Sequence, residues 1–127
     1  MLLLDAVLSH GPGCATALVR ITPDSSFYIT GKGVPSYLAI EYMAQTIAVI
    51  AGKEAVEAGK AAPVGYLLGT RSFQCNTAWF PAGSELLAEA SEEYVDGQGM
   101  GAYLGRVTGG DVGARCRLTV FRPGQPG

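Results

Sequence analysis

The sequence predicts an α+β domain in which one long helix packs against an antiparallel sheet. Three observations carry that expectation. A stretch from Pro35 to Glu57 or Ala58 reads as one helix of about 23 residues, roughly 35 Å long. Segments that alternate apolar and polar residues flank it on both sides. Turn signals rich in glycine and proline divide those segments at short intervals. A sheet built from such hairpins buries itself by laying one face on the helix.

The elements follow in order. Leu2 to Leu8 reads as a short strand, and Gly11-Pro12-Gly13 turns the chain. In CATALVRIT, Ala15, Ala17, Val19 and Ile21 face one way, with Thr16 and Arg20 opposite; Pro23-Asp24-Ser25-Ser26 ends it. Pro35 suits a first helical turn, where its missing N–H has no intrahelical partner. Leu38, Ile40, Met43, Ile47, Val49 and Ile50 spread over several helix faces, so the first two-thirds should be buried. KEAVEAGK should emerge into solvent before Gly59 stops the helix. GYLLGTRSFQCNTAWF is one bent strand or two short ones, and Pro81-Ala82-Gly83 turns. In SELLAEASEEYV, Leu86, Ala88, Ala90 and Tyr94 face inward, against Glu85, Glu89 and Glu93. Asp96-Gly97-Gln98-Gly99 reads as a hairpin turn, and Gly109-Gly110-Asp111 links the last two strands. There Cys116, Leu118 and Val120 alternate with Arg115, Arg117 and Thr119.

Composition narrows the function classes. With 127 residues, 48% hydrophobic and 16% charged, the chain suits one domain and favours an oligomer, since one small surface hides that much apolar side chain poorly. Nine basic and eleven acidic residues, with no basic run, argue against nucleic acid. MLLLDAVL lacks a basic leader and the length of a membrane span, so a cytoplasmic location is expected. Cys14, Cys75 and Cys116 are odd in number and widely spaced, which fits small buried hydrophobes better than a disulfide framework or a metal site. His10, the single histidine, precedes the GPG turn and reads as a loop or strand-end residue.

Glu41 is the residue that calls for chemistry. Burying a lone carboxylate costs more than a helical position returns. On an enclosed helix Glu41 is therefore partnered, protonated, or set at a cavity or subunit boundary. Tyr37 and Gln45 lie one turn before and after it and would line the same pocket. Upstream, Gly31 and Gly33 let backbone pass close to a ligand, and the free N–H groups of a helix start favour a partly negative oxygen. With a carboxylate two turns into the helix, that arrangement would polarise a thioester carbonyl while Glu41 takes or gives a proton. GKG lacks the spacing of a dinucleotide or Walker motif.

At these residues the chain resembles the hotdog-fold dehydratases that act on 3-hydroxyacyl groups attached to acyl carrier protein. The resemblance rests on MLLLDAVLSH, GKGVPSYLAIEYMAQTIAVIAG and FPAGSELLAEA. Its most specific part is VPSYLAIEYMAQ, Val34 to Gln45, which is similar to the VPxxxxxEYMAQ pattern of small hotdog proteins of aryl polyene pigment clusters. It implies a long central helix wrapped by a curved antiparallel sheet, with residues 1–122 as the hotdog domain and 123–127 as a polar tail. Subunits of that fold pair edge to edge, with acyl tunnels at their interface. Several residues ahead of MLLLD are also implied.

The resemblance makes Glu41 the group that helps the C3 hydroxyl leave as water, and puts Gly31, Gly33, Val34, Tyr37 and Gln45 around the substrate. The histidine that removes the C2 proton falls here at Phe27 or Tyr28. Phenylalanine has no proton chemistry, and tyrosine is a poor base at its ordinary pKa of about 10. Dehydration by this chain would need Glu41 to serve twice, Tyr28 to be activated, or His10 to reach the pocket. A thioesterase using Glu41 and a noncatalytic partner of an active dehydratase remain as alternatives. The implied partners are an acyl carrier protein or coenzyme A thioester, and a homodimer or heteromer with a related hotdog dehydratase. No cofactor, metal, nucleic acid or membrane insertion is implied. Lys53, Lys60, Arg71 and Arg106 are scattered cations that suit an acidic carrier or plain solvent.

Overall fold

A computed structural model describes residues 2–57, 59 and 65–122, with only the backbone path for 54–57. The elements run β1 (Ala6–Gly11), β2 (Cys14–Arg20), β3 (Val34–Pro35), α1 (Leu38–Glu57), β4 (Tyr66–Cys75), β5 (Trp79–Phe80), β6 (Glu85–Val95), β7 (Met100–Gly109) and β8 (Val112–Phe121). Six of them form one antiparallel sheet in the order β1-β2-β6-β7-β8-β4, while β3 and β5 pair separately. The long helix lies mainly over β2, β6 and β7. The expected tail 123–127, Lys60 and a helix end at Ala58 lie outside the described residues.

Alternation in the strands places the core. Ala15, Ala17 and Val19 of β2, Leu86, Ala88 and Ala90 of β6, and Cys116, Leu118 and Val120 of β8 are buried, as their spacing predicts. Ala39, Met43, Ile47 and Ile50 meet them from the helix, on one helical face. Small residues on the sheet let the helix come close. A Cβ added to Gly105 would stand 2.7 Å from the Met43 side chain. The helix interior polar group is satisfied locally, since Thr46 Oγ1 donates to the Tyr42 carbonyl at 2.7 Å.

Several expectations need correction. The first strand begins at Ala6, because the stretch before it is tied down sideways: the Leu3 N–H donates to Gln45 Oε1 at 2.7 Å, and Asp5 Oδ2 accepts the Arg20 N–H at 2.6 Å. The helix begins at Leu38, not Pro35, because Val34–Pro35 pairs with Trp79 and Phe80 and the Ser36 N–H donates to the Ala78 carbonyl. Proline fits that two-residue ladder at an edge, where no N–H is needed. Tyr94 is 65% exposed rather than inward, since a register shift between Glu92 and Tyr94 breaks the alternation of β6. Cys14 is exposed, while Cys75 is half-buried and Cys116 buried; all three are free thiols.

The helix is not covered all round. Glu41 and Ala48 are exposed, Ala44, Gln45 and Val49 are half-buried, and no described strand lies over that side. The far edge of the sheet is similarly bare. On β4, Tyr66, Leu67 and Leu68 are 54%, 39% and 57% exposed. No helix among the described residues is long and apolar enough to cross a membrane.

Candidate functional site

Glu41 stands in the first turn of α1 and is exposed. Because the helix starts three residues later than the sequence suggests, the carboxylate lies against the positive end of the helix dipole rather than two turns in. Its burial problem does not arise in the single chain, where solvent reaches it. Tyr37, the residue just before α1, is 57% exposed. Gln45, one turn after Glu41, is engaged by the chain itself through the Leu3 N–H.

The loop before the helix has a different use from the one its glycines suggest. Gly33 adopts φ 119°, and a Cβ there would lie 2.2 Å from the Phe80 carbonyl oxygen. Its close approach is thus to the chain's own backbone. The N–H groups of Lys32 and Gly33 both donate to the Ile29 carbonyl at 2.9 Å, so neither is free for a ligand. Val34 is fully buried against β5 and presents nothing to a substrate. Gly31, at φ 79°, has open space where its Cβ would be.

Free donors lie instead at the helix start. The Ala39 and Ile40 N–H groups bond the carbonyls of Ser36 and Tyr37, while those of Tyr37 and Leu38 have no acceptor among the described residues. Two backbone donors and a carboxylate therefore cluster at one helix end. Ser36-Tyr37, directly after Pro35, is the signal that marks this start in the sequence.

Of the two positions where the histidine is expected, Phe27 is 56% exposed and held at φ 68°, a backbone region that costs a bulky residue strain. Tyr28 is half-buried against the core, its N–H donating to the Ser25 carbonyl at 3.1 Å. His10 lies elsewhere. It sits exposed on β1, opposite Ala15, and borders a cavity of about 670 Å³ with Gly13, Ile50, Lys53 and Glu92. Lys53 is twelve residues beyond Glu41 on α1, about 18 Å along the axis. Within one chain, then, His10 and Glu41 occupy different ends of the helix. Tyr42, next to Glu41 in sequence, turns inward; burial, aided by the charge of Asp5, pushes its hydroxyl up to about 12.

The sheet also assembles a basic patch that the scattered sequence positions conceal. Arg71 lies opposite Arg117, and Arg115 opposite Arg106, all four exposed on the outer face. Among the described residues, no group of three or more His, Cys, Asp or Glu side chains is arranged to hold a metal ion.

One long helix laid on a curved antiparallel sheet makes this a hotdog-fold protein. The chain belongs to the ApeP-like family: the family model described as ApeP dehydratase matches residues 1–126. It is similar to the dehydratase heterocomplex ApeI:P from Xenorhabdus doucetiae, with 29% identity and a TM-score of 0.89 over 96% of this chain and 83% of that one. Two more distant likenesses carry the fold alone. The E. coli PaaI protein from the phenylacetic acid degradation operon has 15% identity and a TM-score of 0.70, covering 94% of this chain and 80% of that one. The smu.793 protein of Streptococcus mutans UA159, bound to acetyl CoA, has 16% identity and a TM-score of 0.70, covering 96% and 90%. No curated protein matches the chain.

Proposed function

We propose that this chain supplies the acidic half of a 3-hydroxyacyl thioester dehydratase site that a second hotdog chain completes. The observation that carries the reading is Glu41, a solvent-exposed carboxylate on the one helix face that the chain's own sheet leaves bare. Beside it stand free N–H groups but no imidazole, the side chain suited to proton transfer near neutrality. The likeness to a dehydratase heterocomplex supports a partner that brings the missing base. So does the ten-residue edge strand β4, whose unpaired side and exposed apolar residues invite another strand.

Such a site carries out one balanced step. The partner's base takes the C2 proton of the 3-hydroxyacyl thioester, and that electron pair becomes the second bond between C2 and C3. The carboxyl group of Glu41 gives a proton to the departing C3 hydroxyl, so water and a 2-enoyl thioester leave. Negative charge gathers on the thioester oxygen as C2 loses its proton, and the Tyr37 and Leu38 N–H groups stabilise it there. The exposed Tyr37 and the open space beside Gly31 leave room for the acyl thioester next to the helix start, and Tyr28 lies in the loop that leads to it. The thioester is carried by an acyl carrier protein or coenzyme A.

The test is a mass-resolved assay of 3-hydroxyacyl thioesters with this chain alone and with a histidine-bearing hotdog dehydratase. Loss of water by the pair, abolished by Glu41→Gln in this chain, is the expected result. Turnover unchanged in that variant overturns the role of Glu41, and release of free acid plus thiol replaces dehydration with hydrolysis.

A further inference from the structure

We propose that the open edge of β4 selects an acidic hotdog partner over a second copy of this chain, through the arginines on the outer face of the sheet. This rests on the reading that a second hotdog chain completes the site. Strands β4 and β8 together carry Arg71, Arg115 and Arg117 and no Asp or Glu. Pairing places Arg71 directly opposite Arg117, and Arg115 directly opposite Arg106 of β7. Like charges facing each other across an antiparallel pair repel. Arg117 meets Glu93 at 3.3 Å and Arg106 lies across the β6–β7 pair from Glu89, whereas Arg71 and Arg115 form no ion pair among the described residues. Of the acidic residues of β6, Glu93 and Glu89 meet only Arg117 and Arg106, and Glu85 is taken by Arg20 at 3.6 Å, so none of them forms an ion pair with Arg71 or Arg115.

Two open hollows lie within the patch. One of about 470 Å³ is bordered by Arg106, Arg115 and Gln74, and one of about 260 Å³ by Arg115, Arg117 and Ser72. Ser72 and Gln74 belong to β4, so both hollows reach the edge where a new strand would arrive.

A second copy adding antiparallel at β4 follows a two-fold axis perpendicular to the sheet, which keeps outer faces together. On β4 the outer face is marked by Gly69, Arg71 and Gln74, the partners of Thr119, Arg117 and Arg115. Arg71 lies at the middle of the Tyr66–Cys75 strand, so any pairing that overlaps most of it brings Arg71 opposite or diagonal to its own copy, about 5–8 Å away. The two basic patches would then merge into one. A hotdog chain with carboxylates on the outer face of its own edge strand meets the same arginines with opposite charge. Charge complementarity therefore names the occupant, and self-pairing is the disfavoured alternative.

The experiment uses the full chain, the Arg71→Glu and Arg71→Gln variants, and an equimolar mixture of wild type with Arg71→Glu. Native mass spectrometry counts the dimers, and sedimentation measures their affinity at low and high salt. Wild-type self-association is expected to be weak, to tighten about fivefold at high salt or in Arg71→Gln, and to give way to mixed dimers with Arg71→Glu. Wild-type dimers of equal strength at all salts and in Arg71→Gln, or statistical mixing, would overturn the inference. So would loss of carrier-protein binding in Arg71→Glu with mixing still statistical, since the patch would then be a carrier surface. Arg71 is exposed on the face away from α1, so dimer counting reads partner choice separately from turnover. Sorting that holds while Glu41→Gln leaves turnover intact would instead remove the catalytic reading and spare this one.

Discussion

The two sides of the helix differ in how far the chain finishes its own structure. Against β2, β6 and β7, every layer is closed: Ala17, Ala88 and Val107 are fully buried, and Met43 fits where Gly105 leaves room. On the other side, Tyr37, Glu41 and Ala48 face solvent, and β4 ends the sheet with Tyr66, Leu67 and Leu68 uncovered. The closed side holds the fold, while the Glu41 carboxylate and the bare edge belong to the open one. Residues of a finished core set stability; residues at an unfinished boundary set function and partner choice.

Substitutions on the two sides should therefore separate stability from turnover. The largest effect falls on the closed side, where Phe80→Ala, removing a fully buried ring stacked near Tyr42, should cost about 3–5 kcal/mol in chemical denaturation. A cost below about 1 kcal/mol would break the contrast by showing that side to be loosely packed. Glu41→Gln on the open side should lower turnover of the completed assembly about 100-fold while the isolated chain melts at nearly the same temperature. A large fall in melting temperature would mean that this carboxylate serves the fold.

Tyr42 sharpens the boundary, since it neighbours Glu41 in sequence yet belongs to the closed side. Its folded pKa of about 12 lies above the ordinary 10, so its contribution to stability is complete below about pH 10. That contribution is lost as pH rises from there through about 12, because only the unfolded chain releases the proton readily. Denaturation midpoints measured across that range should fall more steeply for wild type than for Tyr42→Phe. The smallest effect belongs to Gln45→Leu, which leaves the Leu3 N–H without its acceptor and should cost about 1 kcal/mol in thermal unfolding.

Much of the closed side was legible in the sequence, because a period of two in strands and a glycine or proline at turns are local signals. The alternation in CATALVRIT and GARCRLTVF led directly to the buried faces of β2 and β8. Pro35 misled, since a proline suits both a helix start and an edge ladder, and only the distant Trp79–Phe80 segment decides between them. The glycines before the helix misled for a related reason: Gly33 approaches the Phe80 backbone, a contact made across 47 positions of chain. Arg71, Arg106, Arg115 and Arg117 looked scattered because strand register, which joins them, is a property of pairing rather than of any one segment. Glu41 stood out because a carboxylate in an apolar helix is conspicuous, though its exposure depends on which face the sheet leaves uncovered.

The central claim is that Glu41 works in a site that this chain does not complete alone. Its most direct measurement is the rate of water loss from a 3-hydroxyacyl carrier-protein thioester, compared between the purified chain and its mixture with a histidine-bearing hotdog dehydratase. The account predicts no turnover by the chain alone, and turnover by the mixture that Glu41→Gln in this chain removes. Dehydration by the chain alone at the rate of the mixture would contradict it.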